Sequence, residues 1–211
     1  MNSEITITAE ELLYLGKLIN AHYLDYAYIV CLKNVSKDLT AHDKIVKQEL
    51  IKKEYIFESF SGKIEVEESV TDLLLPVFNG KKETSLNIFT INGQAAADIT
   101  KYHFLNETII MVKEENGSLI LKNVEPYEIE KNVRDIFSNE TDFTDEKVSV
   151  ENETENVSSM VSVKKMNLDK GSIVSVFLKC DGKWYIDKGS NVFESIGRKD
   201  MTNHIINILK G

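Results

Sequence analysis

Arginine is nearly absent from this sequence. Arg134 and Arg198 stand against 23 lysines, so the planar guanidinium forks that grip phosphates and base edges bidentately are scarce. A formal net charge of -9 repels a polyanionic backbone as well, and nucleic acid is not an expected partner. Cysteine is equally scarce. Cys31 and Cys180 lie far apart with no second cysteine at metal-ligand spacing, and two in 211 residues are not the dense framework of a small secreted domain. Both read as reduced core residues. No run approaches the roughly 18 apolar residues that span a bilayer, and Met1 to Thr8 lacks the cationic-then-apolar order of a leader. The expectation is a cytoplasmic protein with no membrane insertion.

The usual signatures of chemistry are also missing. The ten glycines are scattered singly and form no phosphate-binding loop, which argues against a nucleotide cofactor. His22, His42, His103 and His204 are isolated, with none of the spacings that gather a zinc ion. His103, between Tyr102 and Phe104, has no nucleophile motif beside it and reads as a packed side chain. Carboxylate pairs such as Glu10–Glu11, Glu67–Glu68 and Glu114–Glu115 are what an acidic surface produces by default. No serine sits in a nucleophile elbow. The expectation is a binding protein and not an enzyme, with no catalytic, cofactor-binding or metal-binding residue.

What is present is an ordinary globular composition, 42% hydrophobic and 9% aromatic, enough for one sizeable core. Its richness in lysine, isoleucine and asparagine is that of a low-GC bacterial coding bias. Thr8 and Glu11 form a capping box, and Leu12, Leu15 and Ile19 recur at helical spacing, predicting a helix over 9–20. Tyr23 to Leu32 reads as a buried connector or strand. Val46, Leu50 and Ile51 share one side of a helix over 40–55, with lysines on the other. Ser61-Gly62 and the alternation Ile64, Val66 predict a small hairpin wing. Val70, Leu73, Leu74, Val77 and Phe78 make a broad helical stripe, with Pro76 expected to bend or end the last turn and Gly80 to stop it. Helix, wing, helix over residues 40–80 is also a regulator pattern, so a winged-helix transcriptional regulator is the alternative reading. Against it, the lysines there are matched by Glu58, Glu65, Glu67, Glu68 and Asp72.

The second half is strand-rich. Leu86 to Ile91 reads as a strand with both faces partly covered, and Tyr102 to Lys113 as one strand-like run. The run turns at Asn116-Gly117, the dipeptide suited to a type I′ turn, and returns through Leu119 to Leu121. Pro126 then opens a helix with Ile129, Val133, Ile136 and Phe137 on one stripe. The same order recurs: a strand over Ile173 to Leu178, a turn at Asp181-Gly182, a return over Trp184 to Ile186, and a stripe of Met201, Ile205, Ile208 and Leu209. A hairpin followed by a helix also arises independently, but the stripes match position for position, which favours an internal duplication. Between the copies, 138–158 carries seven acidic residues and one lysine and reads as an acidic loop.

The expected fold is therefore α+β, one domain over 1–211 with a twisted, mainly antiparallel sheet built from two pseudo-twofold strand-hairpin-helix units and flanked by helices. N-terminal helices and wing occupy 1–80, the first unit 81–137, the acidic loop 138–158 and the second unit 159–211. A sheet face with several aromatics can hold an amphipathic helix. Phe89, Tyr102, Phe104, Trp184 and Tyr185 are the candidate partner-binding residues. Alternation alone leaves open which face is wet, so a core position is equally open to each.

This order of elements resembles the EspG-type chaperones of type VII secretion systems. The likeness is carried by Ile5-Thr6-Ile7-Thr8-Ala9-Glu10-Glu11-Leu12-Leu13-Tyr14-Leu15-Gly16, by Glu49-Leu50-Ile51-Lys52-Lys53-Glu54-Tyr55-Ile56, and by the Ile109 to Leu121 hairpin leading into the Tyr127 to Phe137 helix. It spans roughly residues 5–210 as a pattern of elements. The chain is shorter than the mycobacterial members. The resemblance implies an EspG-like fold and a cytosolic chaperone that binds helical secretion substrates or their targeting regions, keeps them soluble and delivers them for export. The implied partner is a helical secreted protein or helical-hairpin substrate of type VII secretion.

Overall fold

The computed structural model describes residues 4–21, 28, 39–90, 96–140, 149–151, 157–189 and 192–210. In chain order the first elements are β1 (Glu4–Ile7), α1 (Ala9–Leu18), α2 (Leu39–Lys52), β2 (Ile56–Glu58), β3 (Ile64–Val66) and α3 (Glu68–Asn79). Next come β4 (Lys82–Thr90), β5 (Ala96–Leu105), β6 (Thr108–Glu115), β7 (Ser118–Asn123) and α4 (Pro126–Ile136). The last are β8 (Ser149–Glu151), β9 (Val157–Asn167), β10 (Gly171–Cys180), β11 (Lys183–Asp187), β12 (Val192–Ser195) and α5 (Arg198–Lys210). The fold is α+β with extensive antiparallel sheet. The chain divides into two compact units, Met1–Lys81 with His103–Asn123, and Lys82–Tyr102 with Val124–Gly211. Residues 81–137 thus contribute to both.

The first unit carries the strand order β1-β7-β6-β5 and a separate β2-β3 wing. In β1, Ile5 and Ile7 are buried while Glu4 and Thr6 are exposed, the alternation of a strand with one covered face. Register sets Ile5 opposite Leu121 and Ile7 opposite Leu119, and Leu121 opposite Val112. Onto this apolar layer fold Leu12 and Leu15 of α1, Leu50 of α2, and Leu73, Leu74, Val77 and Phe78 of α3, forming one core. The capping box at α1 is in place, with the Glu11 amide donating to Thr8 Oγ1 at 3.1 Å and the Thr8 amide to Glu11 Oε2 at 2.8 Å. Lys53 holds the buried Glu11 carboxylate at 2.7 Å. α3 continues past Pro76 to Asn79, because a proline in the last turn forfeits one hydrogen bond there without ending the helix. Gly80 stops it as expected, its amide donating to the Pro76 carbonyl.

The second unit carries the order β5-β4-β9-β10-β11-β12-β8, with α4 and α5 packed on each other and α5 on β4 and β9. Glu130 meets Lys210 at 2.7 Å, and Arg134 meets Asn203 at 3.4 Å. Partner numbers fall along α5 as they rise along α4, so the pair is antiparallel. The stripes match as the sequence implies: Ile129, Val133 and Phe137 are buried, as are Met201, Ile205 and Leu209, while Ile136 and Ile208 both remain partly open. Both hairpin turns have the positive φ angles of type I′, Asn116 at 53° with Gly117 at 80°, and Asp181 at 48° with Gly182 at 78°. The additional residues between the second hairpin and its helix include β12.

Two expectations require correction. The run Tyr102–Lys113 is two strands, since Asn106 turns the chain at a φ of 55° and separates β5 from β6. The segment 138–158 is not loop throughout: β8 pairs with β12, Val157 and Ser158 begin β9, and Glu140 accepts hydrogen bonds from Lys179 at 2.6 Å and Trp184 at 3.2 Å. Strands β1, β8, β9 and β12 were not anticipated. The expected connector at Tyr23–Leu32 lies outside the described residues except for Tyr28, which is helical and buried. Cys31, His22 and Ile91 also lie outside them. Cys180 is a half-buried free thiol, with its pKa pushed up by burial and by the Asp181 carboxylate.

Candidate partner-binding face

In the second unit the two sides of the sheet are different surfaces. One side receives the helices: Thr84 Oγ1 donates to the Leu209 carbonyl at 3.0 Å, Ser175 and His204 are hydrogen-bonded at 3.0 Å, and Phe177 meets the His204 ring edge-on. Trp184 belongs to this side, T-stacked on Phe137 and covered by Lys179. Tyr102 is almost wholly buried, and its hydroxyl pKa is raised by burial, partly offset by a hydrogen bond to Asn132 of α4.

Alternation sends the intervening residues to the opposite side. There, register aligns Phe89 with Met160, Met160 with Leu178, Leu178 with Tyr185, and Tyr185 with Ser195. Phe89, Met160, Leu178 and Tyr185 are all half-buried. They form one apolar row across four strands, about 14 Å long at the usual strand spacing. The next row is Asn87, Ser162 and Val176, with Asn87 donating to Ser162 at 3.1 Å, and the one after is Lys164 and Val174, with Ser85 buried at its end. Val174 is 55% exposed. The surface is an apolar row edged by neutral polar groups and a lysine.

Of the five aromatics singled out by sequence, Phe89 and Tyr185 therefore stand at the two ends of this row. Tyr102 and Trp184 are core residues on the helix-bearing side. Phe104 is half-buried in the first unit, its carbonyl close against Gly80. Met160, Leu178 and Val176 were not singled out. Their signal was the alternation of Met160, Ser162 and Lys164 with Val161 and Val163, which marks β9 as a strand with one buried face.

The Ser175–His204 pair is a serine–histidine hydrogen bond, but it sits between β10 and α5 against Phe177 and serves packing. The pKa of His204 is held below the ordinary imidazole value of 6.5, first by burial and then by the Lys188 charge. The folded state thus prefers the neutral ring, and below pH 6.5 the unfolded chain takes the proton first. Stability is full above that value and declines as pH falls toward the folded pKa. Urea midpoints measured from pH 7.5 to 5 should fall less steeply for His204→Gln, which keeps a partner for Ser175, than for the parent; equal slopes would refute the assignment. Among the described residues, no three His, Cys, Asp or Glu side chains could hold a metal ion, and no helix is long and apolar enough to cross a membrane.

No family model matches the sequence, and no curated protein matches it. The backbone does match a solved structure, the Mycobacterium tuberculosis type VII secretion system chaperone EspG5 in complex with a PE25–PPE41 dimer. The chain has an EspG-like fold. The superposition covers 98% of this chain and 95% of EspG5 with a TM-score of 0.66 at 8% identity. The EspG likeness accordingly extends through both units and rests on the backbone alone.

Proposed function

We propose that this protein is a cytosolic type VII secretion chaperone that binds helical secretion substrates or their targeting regions, keeps them soluble and delivers them for export. The observation that carries the reading is the apolar row Phe89–Met160–Leu178–Tyr185, on the side of the sheet away from α4 and α5, in a fold that is also that of a chaperone solved with its PE25–PPE41 dimer. A row about 14 Å long accommodates about ten residues of helix laid across the strands. Four half-exposed side chains contribute about 1 kcal/mol each when covered, about 4 kcal/mol in total, which is no more than the low end of the cost of association. The row is therefore an anchor, and a client must also cover neighbouring positions such as Val176 and Val174.

The regulator reading has little support in the first unit. Lys47 pairs with Glu58, Lys52 with Glu49 and Lys53 with Glu11, which leaves these cations partly neutralised where phosphates would need them. The test is coexpression with helical-hairpin secretion substrates, followed by pull-down and measurement of the substrate's soluble fraction. A stoichiometric complex that keeps the substrate in solution is expected. Tight duplex DNA binding at physiological salt, or substrates equally soluble without the chain, would overturn the proposal.

A further inference from the structure

The β2-β3 wing ends in a bare aromatic ring. Phe60 has a relative exposure of 115%, so its ring stands open to solvent. The tip that carries it is braced: the Ser59 amide donates to the Lys63 carbonyl and the Gly62 amide to the Ser59 carbonyl, both at 2.8 Å, and the Ser59 and Ser61 hydroxyls are 2.9 Å apart. Lys47 ties the base of the wing to α2 through Glu58 at 2.8 Å. The braced tip fixes where the ring is presented, so binding costs little backbone order beyond the ring's own rotamers, while burial of the ring is worth about 2 kcal/mol.

The same unit contains a receptacle. A groove of about 450 Å³ runs between α3 and the β5-β6 turn, lined by Leu73, Leu75, Pro76, Leu105 and Ile110 and edged by polar groups that include Asp72. That volume admits an aromatic side chain. Asp72 is exposed and forms no ion pair among the described residues. Lys63, three residues from Phe60, pairs among the described residues with Glu65 alone, in an exposed contact of 3.0 Å, the kind that exchanges at little cost.

We propose that Phe60 of one copy seats in this groove of a second copy, and the reverse, giving a twofold dimer in which Lys63 meets Asp72 at each of two equivalent contacts. Ring and groove match in chemistry, their edges carry opposite charges, and both belong to one compact unit. Reciprocal exchange closes the assembly at two. Two rings bury less than the roughly 1,600 Å² of a standard interface, so the dimer is weak and reversible.

Sedimentation equilibrium on the full chain across a wide concentration range tests this. A monomer–dimer equilibrium is expected, and Phe60→Ala should weaken it about tenfold or more, as loss of a buried aromatic anchor does. The thermal melt at low concentration should be unchanged, since the ring is fully exposed in the monomer. Asp72→Lys should also weaken the dimer, and adding Lys63→Asp should restore it. A chain that stays monomeric at every concentration, or a dimer indifferent to Phe60→Ala, overturns the proposal.

Discussion

Leu178→Asp should abolish capture of a helical client while leaving the chain folded. Leu178 stands mid-row, between Met160 and Tyr185, on the side of the sheet away from α4 and α5. It is only half-buried, so the folded chain can hydrate a carboxylate there, and the loss of strand propensity costs about 1 kcal/mol. A docked helix would strip that water and leave the charge unpaired, at about 3 kcal/mol or more, equivalent to binding weakened about a hundredfold. Ile173→Asp is the matched control. It lies on the same strand with 60% exposure, five residues from Leu178 and hence on the opposite side of the sheet. Capture should survive it. Fluorescence of Trp184, the one tryptophan and a core residue, reports folding of both variants. Equal capture by Leu178→Asp and parent, both folded, would remove the row from the binding surface.

The elements legible in the sequence were those with local physical causes. Asn116-Gly117 and Asp181-Gly182 announce their turns because few residues other than glycine and asparagine or aspartate accept positive φ at both central positions. The α1 capping box and the stripes of α3, α4 and α5 are likewise written within a dozen residues. The turn at Asn106 was missed because Phe104, Leu105, Ile109 and Ile110 surround it with strand-like residues, and one asparagine is a weak signal inside them. Strand β1 is four residues long, and its alternation merges with the capping box that follows.

The candidate face was half legible for a different reason. Alternation along β11 requires Trp184 and Tyr185 to point opposite ways, but not which of them meets water. That choice depends on distant groups: Glu140 and Phe137 claim Trp184, and Asn132 claims Tyr102. Assembly of Phe89, Met160, Leu178 and Tyr185 is longer-range still, since it depends on registers joining residues up to 71 positions apart, as between Phe89 and Met160. An EspG-like backbone at 8% identity fits this division. Cores tolerate extensive exchange of apolar residues when pattern and volume are kept, so the fold persists while individual surface residues do not.

Gly80→Ala should destabilise the first unit more than its single added methyl suggests. Gly80 has an ordinary φ of -68°, so positive-φ strain is not the cause. The cause is a close approach of backbones: a Cβ at this position would lie 2.3 Å from the Pro76 carbonyl oxygen and 2.8 Å from that of Phe104. Neither obstacle is a side chain that can rotate away. Relief requires the end of α3 to move from β5, which breaks the Gly80–Pro76 hydrogen bond at 3.0 Å and disturbs the packing of Val77 and Phe78 in the core. A cost of about 3 kcal/mol is expected, at the upper end for overpacking. Gly16→Ala provides the contrast, because its Cβ would meet the Phe78 ring edge at 2.9 Å and a ring can yield by a small tilt. Urea unfolding of both variants should rank Gly80→Ala well below Gly16→Ala. The reverse order would mean that the end of α3 is free to shift and that Phe78 is the less yielding neighbour.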